Sequence, residues 1–191
     1  MKAPLDPPDA DGEEPSPGAA LVASAVVYGV LATGALLWLW ARGRSAALAE
    51  QAIGGHGPAA ASAVGLGVGV LGALAATSLA RRMRSADGLL SAAKRLFAGA
   101  SDRHCVAFAV LSAVSEELFF RLAVQDQFGL LGSVAACVLL NSTVGSVRWL
   151  LFTLVHATAL GLLVQLGFGL LGSTTAHAVL TYLCLRRLQT P

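Results

Sequence analysis

The sequence predicts an all-α, polytopic transmembrane helix bundle of about six spans, and three observations carry that prediction. Of 191 residues, 55% are hydrophobic and only 13% charged, with a mean hydropathy of +0.70, too apolar for the surface of an ordinary water-soluble domain. Apolar runs recur at lengths that cross roughly 30 Å of hydrocarbon at about 1.5 Å per residue. The 21 glycines suit helices that approach one another closely in lipid. The same composition argues against a soluble enzyme, a nucleic-acid binder and a disulfide scaffold. The cysteines Cys105, Cys137 and Cys184 lie far apart in apolar stretches and read as buried, reduced thiols.

Residues 1–18 hold five of the seven prolines among Asp6, Asp9, Asp11, Glu13 and Glu14. Such a segment buries too little apolar surface to offset the entropy of ordering, so a disordered acidic tail is expected. No basic start leads into an apolar run there, so the tail does not read as a signal peptide.

Residues 19–103 read as two transmembrane helices and a basic loop. The first span, 19–41, ends at Trp38, Trp40, Arg42 and Arg44; the second, 58–80, ends at Arg81, Arg82 and Arg84. Tryptophan beside arginine marks a membrane boundary. Ala61, Gly65 and Gly69 place a small residue at every fourth position of the second span, a face for helix packing. Leu89, Leu90, Ala93, Leu96 and Phe97 then recur at helical spacing among cations, which fits a helix in the headgroup layer and equally a plain loop.

Four further spans follow at 105–124, 128–145, 148–168 and 171–186, with short turns at Gln125–Gln127, Gly145–Val147 and Gly169–Gly172 and a tail at 188–191. The loop 81–103 carries Arg81, Arg82, Arg84, Lys94, Arg95 and Arg103 and belongs on the cytoplasmic side. That choice leaves only Arg42 and Arg44 outside and puts both termini in the cytoplasm. The Ala- and Gly-rich, lysine-poor composition suggests a bacterial inner membrane.

The third span places Glu116, Glu117 and Arg121 where lipid-facing residues are expected. Each costs a few kcal/mol at mid-membrane, so such groups face a bundle interior or a watery cavity and mark a functional site. Glu117 and Arg121 are i and i+4, acid first, the order of a structural ion pair. Glu116 lies about 100° round the helix and is free to act as a general base if a second polar group helps to hold water. His156 and His177 fall in membrane spans and are the natural partners. His56, in a Gly-Gly-His-Gly turn, and His104, at a membrane entry, are expected to be solvated.

The run Glu116-Glu117-Leu118-Phe119-Phe120-Arg121 resembles the Glu-Glu-x-x-x-Arg motif of the CAAX-processing and bacteriocin-processing (CPBP) family of intramembrane peptidases, relatives of type II CAAX prenyl endopeptidase. Phe152-Thr-Leu-Val-His156 matches its Phe-x-x-x-His motif. His177-Ala-Val-Leu-Thr181 matches the first residue of its His-x-x-x-Asn/Asp motif. The resemblance covers 104–187. It implies that Glu116 activates water with help from the second-motif histidine, that His177 and Thr181 steady the oxyanion, and that Arg121 holds Glu117.

Read by letters, the second-motif histidine is His156; read by helix order, its position falls near Asn141. The resemblance fits a zinc site built from Glu116, His156 and His177, and equally a metal-free glutamate mechanism. The implied substrate is a membrane-associated or prenylated peptide or protein. The displaced second motif and the Thr at 181 leave a second expectation open, a catalytically degenerate relative serving as a binding or scaffold subunit. A transporter is the weaker expectation, with no inverted repeat in the sequence.

Overall fold

The computed structural model describes residues 17–82, 94–142 and 147–189, and among these every regular element is helical. The expected acidic tail up to residue 16, residues 89–93 of the interfacial segment and residues 145–146 of the fourth-to-fifth-span turn lie outside the described residues.

Helix α1 (Pro17–Ala41) starts at a proline, whose missing N–H would be unpaired in a first turn anyway. A short α2 (Ala47–Gln51) leads to α3 (Gly57–Arg82). Helix α4 (Asp102–Glu117) is capped by Ser101, whose side chain accepts from the His104 backbone N–H while His104 Nδ1 accepts from the Ser101 N–H. His104 is thus a capping residue and not a merely solvated one. The chain then runs through a π-helical stretch, Leu118–Gln125, into α5 (Asp126–Asn141). Helix α6 (Val147–Leu163) likewise passes through a π-helical stretch, Val164–Phe168, into α7 (Gly169–Gln189).

The turns fall where glycine allows a left-handed backbone. Gly129 (φ 70°) breaks the chain between the third and fourth expected spans, and Gly167 (φ 83°) with Gly169 (φ 62°) breaks it between the last two. The expected turns at Gln125–Gln127 and Gly169–Gly172 therefore move to Gly129 and to 167–169. Polarity had pointed to Gln125–Gln127, but those residues continue the helix to the bundle's end.

Among the described residues three stretches are long and apolar enough to cross a membrane: Gly18–Ala41, Gly57–Ala80 and Val147–Gln189. The last, of 43 residues, is about twice a membrane's needs and is two rods joined at the glycine break. Helices α4 and α5 have 16 residues each and reach only about 24 Å, and α4 also carries Asp102, Arg103, Glu116 and Glu117.

Contacts between rod ends set their directions. At one end Arg44 bonds Asp126, His56 Nε2 donates to the Leu166 carbonyl, and the Leu171 N–H donates to the Ala52 carbonyl. At the other, Gln189 Nε2 donates to the Ala100 carbonyl and Arg186 pairs with Asp102. His56, exposed as expected, also ties the α2–α3 turn to the end of α6 and stacks on Phe168 at 4.6 Å.

The Gly65–Gly69 face of α3 packs on α7 as its small residues require: a Cβ at Gly69 would lie 2.6 Å from the Ala176 carbonyl oxygen. Polarity is inverted relative to a water-soluble domain. Arg121, Glu117, Ser133 and Ser173 are buried, while Val26, Trp40, Leu131 and Leu139 face outward. Cys105 and Cys137 are buried free thiols, as expected, but Cys184 is partly exposed.

Candidate functional site

The site grows from the junction of α4 with its π-helical continuation. Glu117 and Arg121, each 1% exposed, form the expected i,i+4 pair, with Arg121 Nε donating to Glu117 Oε2 at 3.2 Å. The guanidinium has a second acceptor: Nη1 donates to Ser133 Oγ on α5 at 2.8 Å, and that hydroxyl passes its own proton to the Phe120 carbonyl at 2.7 Å. The π-helical winding buries Phe120, Arg121, Leu122, Ala123 and Gln125 together, which aims the guanidinium inward. Every group in this chain has a partner, as a buried charge requires.

Helix α7 contributes His177. Its Nδ1 lies 3.1 Å from Glu117 Oε1. An ionised carboxylate only accepts, so Nδ1 carries the proton, and in the neutral ring Nε2 presents a lone pair. That Nε2 lies 3.9 Å from Glu116 Oε2. The two neighbouring acids thus differ sharply: the Glu117 side chain is 1% exposed and doubly bonded, while that of Glu116 is 26% exposed. Only Glu116 is open to an incoming molecule.

Of the two candidates for the second-motif position, His156 on α6 stands beside the cluster. Its ring meets that of His177 edge to face, centroids 5.5 Å apart, and stacks on Phe152 at 5.7 Å. Its Nε2 is buried without a hydrogen-bond partner. Asn141, the last residue of α5, instead donates to the carbonyl of Cys137 on its own helix at 2.9 Å. Thr181, one turn beyond His177, is partly buried and makes no hydrogen bond to the carboxylates among the described residues.

Several groups at the site carry no motif. Ser133, Ser112 and Ser173 are buried around the ion pair, and Gln125 Nε2 donates to the Gly161 carbonyl at 3.0 Å. Tyr28 of α1 meets Phe108 of α4 edge-on, ring centroids 5.8 Å apart. The available signal for these residues was a lone hydroxyl or amide within an apolar run.

Zinc at Glu116, His156 and His177 would need three donors converging on one point. Among the described residues no group of three His, Cys, Asp or Glu is placed to hold a metal ion. His177 Nδ1 is held by Glu117, and among the described residues no centre is common to the His177 Nε2, the His156 Nε2 and a carboxylate. As they stand, these residues do not form the zinc set.

Fold and site together define an all-helical bundle, among the described residues, with stretches long and apolar enough to cross a membrane and a buried acid–imidazole–guanidinium cluster. No family profile, no characterised protein and no solved structure matches the chain.

Proposed function

We propose that this protein is an intramembrane endopeptidase of the CPBP type, crossing a bacterial inner membrane six times with both termini in the cytoplasm. The alternating direction of α1, α3, α4, α5, α6 and α7 supports six crossings. Basic residues at the end that holds Lys94, Arg95, Arg103, Arg186 and Arg187 support the orientation.

One observation carries the chemical reading: Glu116 Oε2 and His177 Nε2 stand 3.9 Å apart with the other imidazole nitrogen committed to Glu117. A water about 2.8 Å from both atoms makes an angle of roughly 90° between them, open to hydrogen bonding on each side. His177 Nε2 accepts one of its protons as a hydrogen bond while Glu116 takes the other. The water oxygen adds to the peptide carbonyl, giving a tetrahedral intermediate. Glu116 returns the proton to the amide nitrogen as the C–N bond breaks, leaving a new carboxylic acid and a new amine.

This assignment moves His177 from the oxyanion role implied by the resemblance to the water. It leaves His156, with its free Nε2, and the Thr181 hydroxyl as the groups available to the oxyanion. The substrate is a membrane-associated peptide or protein precursor, since the site lies within the bundle.

The test is cleavage of membrane-anchored peptides by the protein reconstituted in vesicles, with products identified by mass. Cleavage must occur and be lost in Glu116→Gln; cleavage retained in that variant ends the reading. A second reading, a non-hydrolytic scaffold subunit, is favoured by the closure of the Glu117–Arg121–Ser133 network, which needs no ligand to be complete. Absence of cleavage across such substrates selects it.

A further inference from the structure

We infer that Ser133, on α5, is a positioning residue for His177: by taking one end of the Arg121 guanidinium it keeps that cation on a single oxygen of Glu117 and leaves the other oxygen to the imidazole. Ser133 belongs to none of the three motifs.

The argument begins with where helix hydroxyls send their protons. Ser24, Ser78, Thr158 and Thr175 each donate to the carbonyl four residues back on their own helix, the default for a hydroxyl among apolar neighbours. Ser133, fully buried, instead donates across to the Phe120 carbonyl at 2.7 Å. A hydroxyl has one proton, so toward Arg121 its oxygen can only accept, and Nη1 donates to it at 2.8 Å. The Phe120 carbonyl lies in the peptide that leads into Arg121, so the hydroxyl ties the guanidinium back to its own backbone.

The hold is visible in the bond lengths. Arg121 Nε reaches Glu117 Oε2 at 3.2 Å, while the bond to the neutral hydroxyl is 2.8 Å. A cation and a carboxylate ordinarily close to about 2.7–2.9 Å, and a guanidinium prefers to set two parallel N–H groups on both oxygens. Among the described residues this pair shares one hydrogen bond, and Glu117 Oε1 accepts from His177 Nδ1 at 3.1 Å instead. Ser133 and Glu117 therefore hold the guanidinium from two sides. Without the Ser133 hydroxyl the buried cation keeps the carboxylate as its partner, closes its fork on both oxygens and competes with His177 for Oε1. The imidazole then loses the bond that keeps its proton on Nδ1 and its lone pair on the Nε2 that faces Glu116.

The kinetic consequence rests on the reading of Glu116 as the base; the tautomer of His177 does not. The experiment uses the full chain in lipid nanodiscs, its histidines labelled with nitrogen-15 for NMR, the His177 signals being those lost in His177→Gln. The wild type is expected to carry the ring proton on Nδ1 alone. In Ser133→Ala the His177 signals move toward a mixture of the two tautomers. Ser133→Cys separates positioning from packing, because a thiol is close to the hydroxyl in shape but accepts only weakly. The cysteine variant is expected to follow alanine, and it decides alone if Ser133→Ala does not fold. A wild-type ring without its proton on Nδ1, His177 signals unmoved in Ser133→Ala, or wild-type signals in Ser133→Cys overturns the inference.

In the cleavage assay Ser133→Ala lowers kcat about tenfold with KM unchanged, the scale of one hydrogen bond to a charged group. If cleavage ignores Glu116→Gln, the peptidase reading falls while the His177 signals still judge Ser133. If Glu116 is essential and the His177 signals stay in place in both Ser133 variants, Ser133 falls and the reading stands.

Discussion

Glu117 divides its two oxygens between two helices' worth of partners, Oε2 accepting from Arg121 at 3.2 Å and Oε1 from His177 at 3.1 Å. One carboxylate therefore does two things: it neutralises the largest fully buried side chain of the bundle and it chooses the tautomer of the imidazole that faces Glu116.

Arg121→Ala removes the cation from a carboxylate that is 1% exposed. Breaking one side of such a pair costs about 3–5 kcal/mol, because the remaining charge is left uncompensated. The expected outcome is a large fall in the melting temperature of the purified protein. The double variant Glu117→Gln/Arg121→Met, which leaves no charge behind, melts above the single variant. A double variant that melts at or below Arg121→Ala contradicts the account of the pair as a buried ionic unit.

The α3–α7 contact gives a matched pair of substitutions. A Cβ at Gly69 meets the Ala176 carbonyl oxygen at 2.6 Å, and backbone cannot step aside as a flexible side chain can, whereas a Cβ at Gly67 meets nothing within 4 Å. Gly69→Ala is expected to destabilise by about 1–3 kcal/mol through overpacking. Gly67→Ala gains helix propensity and stays neutral or better. Equal melting temperatures for the two variants would show that α3 and α7 are not in close backbone contact.

Asp126 joins the end of α1 to the start of α5, accepting from Arg44 at 2.9 and 3.3 Å and lying 3.6 Å from Arg42. The Arg44 hydrogen bonds, opposed in part by desolvation, hold its carboxyl below the ordinary range. A depressed folded value means that the stabilisation is complete above the unfolded value near 3.8 and is lost as the pH falls through the folded one. Arg44 is 41% exposed, so solvent screens the latch and its contribution to stability is small. Melting curves recorded from neutral pH to about pH 3 are expected to show a smaller acid-induced drop in Asp126→Asn than in the wild type. Identical drops would remove Asp126 from the acid response.

The helical class and the Glu117–Arg121 pair were legible in the sequence because lipid leaves few ways to bury a backbone or a charge. The small-residue face of α3 was legible for the same reason. The rod ends were not: a turn was expected at the polar Gln125–Gln127, while the backbone breaks at Gly129, where a left-handed conformation is available. The exposure of His56 was legible, but its bond was not, because nothing in a Gly-Gly-His-Gly turn says that the Leu166 carbonyl will arrive beside it from 110 residues away. The contact of Tyr28 with Phe108 was unreadable for a similar reason, since the two rings lie about eighty residues apart in the sequence and only packing brings them together. Spacing alone could not separate His156 on α6 from Asn141 on α5; in the fold the ring of His156 meets that of His177, while Asn141 bonds the Cys137 carbonyl of its own helix.

The central claim is that water held between Glu116 and His177 becomes the nucleophile. A single turnover of a membrane-anchored peptide in heavy-oxygen water tests it directly. The account predicts that the label enters the new carboxyl terminus of the product, that none enters the Glu116 side chain, and that Glu116→Gln slows the turnover at least about a hundredfold, the low end of general-base contributions. Label recovered in the Glu116 carboxylate, or turnover undiminished in Glu116→Gln, would contradict it.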